Sequence, residues 1–213
     1  MEIRAYYREY LERAQRVLGD MMDFAVNTCG MEPDEYFDKF IVTGIAKQFG
    51  KGNPKYIAGM TGCELVKVVM EKSGMALDDI EDVMFVDKSP EYWSGWAVCY
   101  YQWFTGKNFE KIHNAVSMNE ILGMYQTLHE ADITKFVDIM NEKLKTFYTE
   151  TNLKRLRVFA GLSQGELAEL SGVSIRQIQM FEQGQRDINK TQVMNVVKLA
   201  RVLGCEVEEL VEI

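Results

Sequence analysis

Apolar residues recur every three to four positions through the first 28 residues: Ile3, Tyr6 and Tyr7, Tyr10 and Leu11, Ala14, Val17 and Leu18, Met21 and Met22, Ala25. That spacing lays one apolar stripe along a helix, with polar residues on the opposite side. Glu32-Pro33-Asp34-Glu35 predicts a second helix start. Proline is tolerated in a first turn whose amides are unbonded anyway, and acids favour the positive end of the helix dipole. The apolar pattern continues through Phe37, Phe40, Ile41, Ile45 and Phe49 until Gly50-Lys-Gly-Asn-Pro54 is expected to break it. Further helices are predicted after Gly62, ending at Ser73-Gly74, and from Ser89-Pro90 to Thr105-Gly106. Two more run from the capping box Ser117-x-x-Glu120 to Leu128 and from Ala131 to Phe147. Val83-Met-Phe-Val86 is expected as a short extended piece. The chain therefore reads as all-α, with a domain boundary near Tyr148-Thr-Glu-Thr151.

Beyond that boundary the cap signals come closer together. Ser163 is followed three residues later by Glu166, Ser174 by Gln177, and Asn189 by Gln192. In each pair a short side-chain oxygen can accept from a first-turn amide, and the longer side chain can reach back to the cap residue. Starts 11 and 15 residues apart imply short helices with little intervening loop. Gly172, within Ser171-Gly172-Val173, is placed to end the first of them in a left-handed conformation. Leu156, Val158 to Leu162, Leu167, Ala168, Leu170, Val173, Ile178, Phe181, Val193, Val196, Val197, Leu199, Ala200 and Leu203 form the expected core of four or five helices. Arg176, Gln177, Gln179, Met180 and Gln183 are left on an outward face of long side chains.

A dozen and more positions here follow one pattern. They are Leu153-Lys-Arg-Leu-Arg157, Gly161-Leu-Ser-Gln164, Glu166-Leu-Ala168, Ser171-Gly-Val-Ser174, Ile178, Glu182-x-Gly184-x-Arg186, Leu199-Ala200-Arg-Val-Leu-Gly204 and Glu209-Leu210. Residues 152–210 thereby resemble the phage-repressor-like (XRE/Cro) helix-turn-helix family, over less than a third of the chain. The resemblance implies a five-helix domain whose helix starting at Ile175 enters the major groove. Ser163 and Gln164 would meet a phosphate at a helix N-terminus. Ile175, Arg176, Gln179 and Met180, following the cap Ser174, would face base edges. Arg186, Asn189 and Lys190 would hold the DNA backbone. Arg157 and Glu182 resemble the family's structural clamp between the first and third helices. Asp187-Ile-Asn-Lys-Thr-Gln-Val193 is longer than the family's usual spacing, which leaves the start of the fourth helix open.

Charge sharpens the division. The 213 residues carry a formal net charge of −8, with 24 basic and 32 acidic side chains. Residues 1–150 account for −8, residues 151–201 for +4, and residues 202–213 for −4. The segment expected to touch phosphate is thus locally basic in an acidic chain, which argues against a general nucleic-acid coat protein. Two domains are expected, residues 1–148 and 149–213. Cys29, Cys63, Cys99 and Cys205 show no metal-ligand spacing and read as reduced thiols. The start Met1-Glu-Ile-Arg-Ala lacks an apolar leader and the densest apolar run, Trp96 to Phe104, is too short to span a bilayer. A cytoplasmic protein with no membrane partner is expected.

The remaining candidate chemistry lies in the N-terminal two-thirds. Trp93, Trp96, Tyr100 and Trp103 fall at helical spacings of three and four. Such a stripe reads as core, or as a pocket for a ligand or partner. His129-Glu130-x-Asp132 looks like a metal or acid–base cluster, but neighbours on a helix point about 100° apart and do not converge on one ion. Phosphate-loop, nucleophile-elbow and zinc-protease patterns are absent from the sequence. No enzyme, cofactor or metal is expected. The leading expectation is a dimeric, sequence-specific repressor bound to a double-stranded operator, with residues 1–148 serving dimerisation, an effector or a partner. The alternative is an antitoxin whose N-terminal domain binds a toxin while the C-terminal domain represses the shared promoter.

Overall fold

The computed structural model describes residues 4–75, 77, 80–82 and 87–212. Those residues form helices and connecting turns with no strand. The extended piece expected at 83–86 lies outside the described residues. The chain divides into two compact units, Met1–Phe147 and Tyr148–Ile213.

In the first unit, α1 (Leu11–Asp23) is entered through a 3-10 turn and leaves through a widened π-helical turn, Phe24–Thr28. Its apolar stripe is buried, as the spacing implies: Ala14, Leu18, Met21 and Met22 are wholly covered. Next come α2 (Pro33–Val42), α3 (Ile45–Gly50), α4 (Pro54–Ile57), α5 (Gly62–Lys72) and α6 (Pro90–Thr105). The unit ends with α7 (Phe109–Ala115), α8 (Met118–Gly123), α9 (Tyr125–Leu128) and α10 (Ile133–Phe147). Helices α5 and α6 both lie against α1. Both approaches depend on glycine. A Cβ on Gly95 of α6 would sit 2.3 Å from the Leu18 carbonyl oxygen, and one on Gly62 of α5 would sit 2.4 Å from the Met21 nitrogen.

The single helix expected from Pro33 through Phe49 is broken. Gly44 takes φ +74°, a left-handed turn that lets α3 reverse and return Phe49 to Phe40, with ring centroids 6.0 Å apart. Phe37, Phe40, Phe49 and Phe109 then build an aromatic cluster between α2, α3 and α7, with Phe109 edge-to-face against the other three rings. Helices α4 and α7 did not stand out in the sequence; each is opened by an asparagine cap, Asn53 and Asn108. The Ser117–Glu120 capping box forms as expected. Asp34 on α2 also accepts the Met118 and Asn119 amides at 2.5 and 3.2 Å, tying α8 to α2 across 84 residues of sequence.

The second unit holds α11 (Asn152–Phe159), α12 (Gln164–Ser171), α13 (Ile175–Glu182), α14 (Val193–Leu203) and α15 (Val207–Leu210). Leu153, Leu167, Val173, Ile178, Phe181, Ile188, Val196, Leu199, Ala200 and Leu210 close one core. Several expected core residues are outside it. Phe159 is 91% exposed, and Val158, Leu170 and Val193 are also exposed. On α11 the inward face belongs to Leu153, Leu156 and Arg157, spaced three and four apart, so the next two positions rotate away. The third expected helix start also fails. The extra residues fold as a 3-10 turn, Ile188–Lys190, capped by Asp187, and α14 begins only at Val193. That detour places Ile188 in the core and leaves Asn189 to bond elsewhere.

Candidate nucleic-acid interface

The local chemistry of the α12–α13 pair is set by its caps. Ser163 Oγ accepts the Glu166 amide at 3.1 Å, and Glu166 accepts the Ser163 amide at 2.8 Å, a complete capping box. At the other end Gly172 adopts φ +66° and donates its amide to Ala168 O at 2.9 Å, which ends α12 and turns the chain. Val173 is buried in that turn, and Ser174 caps α13 by accepting the Gln177 amide at 3.3 Å. Helix α13 buries Ile178, Phe181 and Glu182. Ile175, Arg176, Gln179, Met180 and Gln183 then share the other face: positions four apart lie one above another. Ile175, Arg176 and Gln183 are exposed, and Gln179 and Met180 half-buried.

A charged network beneath this face fixes the angle of α13. Arg157 Nε and Nη2 donate to the two Glu182 oxygens at 2.6 and 2.9 Å, while Arg157 Nη1 donates to Leu162 O at 2.6 Å. Gln164 Nε2 donates to Glu182 Oε2 at 2.8 Å. One carboxylate therefore joins the ends of α11, α12 and α13. Its side chain is 2% exposed. Burial pushes the Glu182 carboxyl upward, but hydrogen bonds from Arg157 and Gln164 and the guanidinium charge outweigh it, and the group titrates below its ordinary value.

Residues 153–210 match the family model for a helix-turn-helix. This segment is a DNA-binding helix-turn-helix domain of the XRE family. No curated protein and no solved structure matches the chain.

Within the helix-turn-helix domain, the residues singled out from the sequence fall into three groups. Ile175, Arg176, Gln179 and Met180 come together on the outer face of α13. Ser163, Ser174 and Gln164 have structural work: the two serines cap helices and the glutamine belongs to the clamp. That role of Gln164 was not legible from sequence, since a residue 18 positions from its partner shows no periodic sign. Beyond α13, Arg186 is exposed, with its guanidinium 5.8 Å from the Phe181 ring centroid, and Lys190 pairs with Asp187 at 3.3 Å. Asn189 is held to the C-terminal segment: its amide donates to Glu212 O and its oxygen accepts the Glu212 amide at 3.0 Å.

In the N-terminal unit the aromatic stripe splits. Trp93 and Trp96 line a cavity of about 450 Å³. Trp103 is buried and donates its indole N–H to Tyr6 O at 2.8 Å. Tyr100 stacks on Phe104, and the Arg4 guanidinium lies 3.8 Å from the Phe104 ring centroid. These two residues form no part of the cavity lining, because α6 turns them towards the N-terminal segment. His129 stacks on Tyr125 and contacts Tyr125 O through Nδ1 at 2.8 Å. Among the described residues no three or more His, Cys, Asp or Glu side chains are placed to hold a metal ion, and no helix is long and apolar enough to cross a membrane.

Proposed function

We propose that the protein is a sequence-specific transcriptional repressor that binds its operator as a dimer and acts without catalysis. The observation that carries this reading is the α13 face itself: a cation, an amide and two apolar side chains gathered on the outer side of a helix whose angle is clamped from below. Arg176 is suited to a bidentate contact with guanine O6 and N7, and Gln179 to adenine. Ile175 and Met180 offer apolar contact to a thymine methyl. With the Ser163 and Gln164 side chains already engaged, a phosphate at the start of α12 would be met by the first-turn amides of Gln164 and Gly165, which have no intrahelical acceptor. Arg186 and Lys190 would hold further phosphates and set register. In a dimer, two such faces would read half-sites about 34–36 Å apart.

Selection of bound duplexes from a random pool tests the reading. Wild-type protein should enrich a two-fold symmetric site. Arg176→Ala should lose discrimination at one base position per half-site, by about 1–3 kcal/mol, while other positions keep theirs. Arg186→Ala and Lys190→Ala should weaken every sequence alike and reduce the salt slope by about one each. An unchanged base preference in Arg176→Ala would remove α13 from the role of reader.

A further inference from the structure

We infer that the cavity beside α6 is a binding site for a small planar aromatic molecule carrying an anionic or strongly accepting group. Its volume of about 450 Å³ lies within the range of pockets that enclose small organic ligands, and Tyr92, Trp93, Trp96, Tyr125 and His129 supply an aromatic lining. The walls are preset by packing: Trp93 meets Tyr125 and Phe136 edge to face at 5.8 and 5.7 Å, and His129 stacks on Tyr125 at 4.4 Å.

The polar groups on these residues decide the ligand's chemistry. Trp103, buried elsewhere on α6, binds its indole N–H within the protein, whereas Trp93 and Trp96 are only half-buried and neither indole nitrogen is among the buried side-chain atoms without a partner. An indole is a donor only, so a polar atom of a ligand that meets either one must be an acceptor. The lining contains one ammonium, Lys88, and no carboxylate. Lys88 uses one donor on Asp20 at 2.9 Å and lies 4.2 Å from the Tyr92 ring centroid, which orients the ammonium and leaves two of its three donors available. The Lys88 ammonium beside aromatic walls favours a flat ligand with a carboxylate, sulfonate or comparable acceptor. A cation would meet Lys88 directly.

The full-length protein can be titrated with 1-anilinonaphthalene-8-sulfonate, an aromatic anion, and with N-methylquinolinium, a flat aromatic cation. The anion should bind at one site and quench tryptophan emission. Trp96→Leu and Lys88→Gln should each weaken that binding about tenfold or more while the helical circular-dichroism spectrum is retained. Because Lys88→Gln also frees Asp20, Lys88→Arg serves as the conservative variant and should restore most of the affinity. Equal anion binding by wild type and both weakened variants would overturn the assignment, as would preferential binding of the quinolinium ion. So would weakened binding that Lys88→Arg leaves unrescued.

Discussion

Glu182→Ala is expected to destabilise the helix-turn-helix domain by about 3–5 kcal/mol, because it leaves the Arg157 guanidinium partly buried without its carboxylate. Arg157 is only 11% exposed and also holds Leu162 O, so it cannot swing into water without releasing the entry to α12. Peptide-resolved hydrogen exchange on the full chain checks this: amides of α12 and α13 that exchange by unfolding of the domain should do so on the order of 100- to 1,000-fold faster, with α1 and α6 unchanged. Arg157→Lys should fall between, since an ammonium cannot make the two-pronged contact and reach the carbonyl as well. The clamp also imposes a pH dependence. The folded Glu182 carboxyl titrates below its ordinary value, so its contribution is fully present above the unfolded pKa of about 4.3 and is lost as pH falls through the folded value. Glu182→Gln should therefore lower stability at neutral pH and flatten its decline in acid. A variant as stable as wild type at pH 7 would show the clamp to be incidental.

The second large effect lies in the N-terminal unit. Gly95→Ala would drive a methyl group to 2.3 Å from a backbone carbonyl oxygen of α1, where no side-chain rotation can make room. Overpacked cores lose about 1–3 kcal/mol when neighbouring side chains can shift. Here α1 and α6 must separate along their shared contact, so the loss should reach the top of that range or exceed it. Urea unfolding followed by tryptophan fluorescence reads this unit alone, since Trp93, Trp96 and Trp103 all lie on α6. Ala at Gly74, which has open space but φ +79°, is a useful contrast: it should cost only backbone strain. Equal losses at the two positions would mean that α1–α6 proximity is not what Gly95 provides.

How much was legible differs between the units. The C-terminal reader showed in its sequence because its signals are local. Ser163 with Glu166, Ser174 with Gln177, and Gly172 between them each act within one helical turn, so spacing alone locates α12 and α13. The same logic failed at Asn189 with Gln192. There a tertiary demand, burying Ile188 and bonding Glu212, outweighed a cap that the spacing permitted. Phe159 shows the other failure: its period fits a stripe, but a two-turn helix has room for only one inward face.

Local rules, then, determined that the chain is helical, where most helices begin, and which residues occupy one face of α13. They act through first-turn amides and 3.6-residue periodicity, which are properties of neighbouring residues. Tertiary structure decided the rest: the reversal at Gly44, the seating of Gln164 on Glu182, the division of the α6 aromatics between a core and a cavity, and the pairing of Lys88 with Asp20 beside it. Each depends on groups brought together from distant parts of the chain, whose distances no sequence spacing encodes.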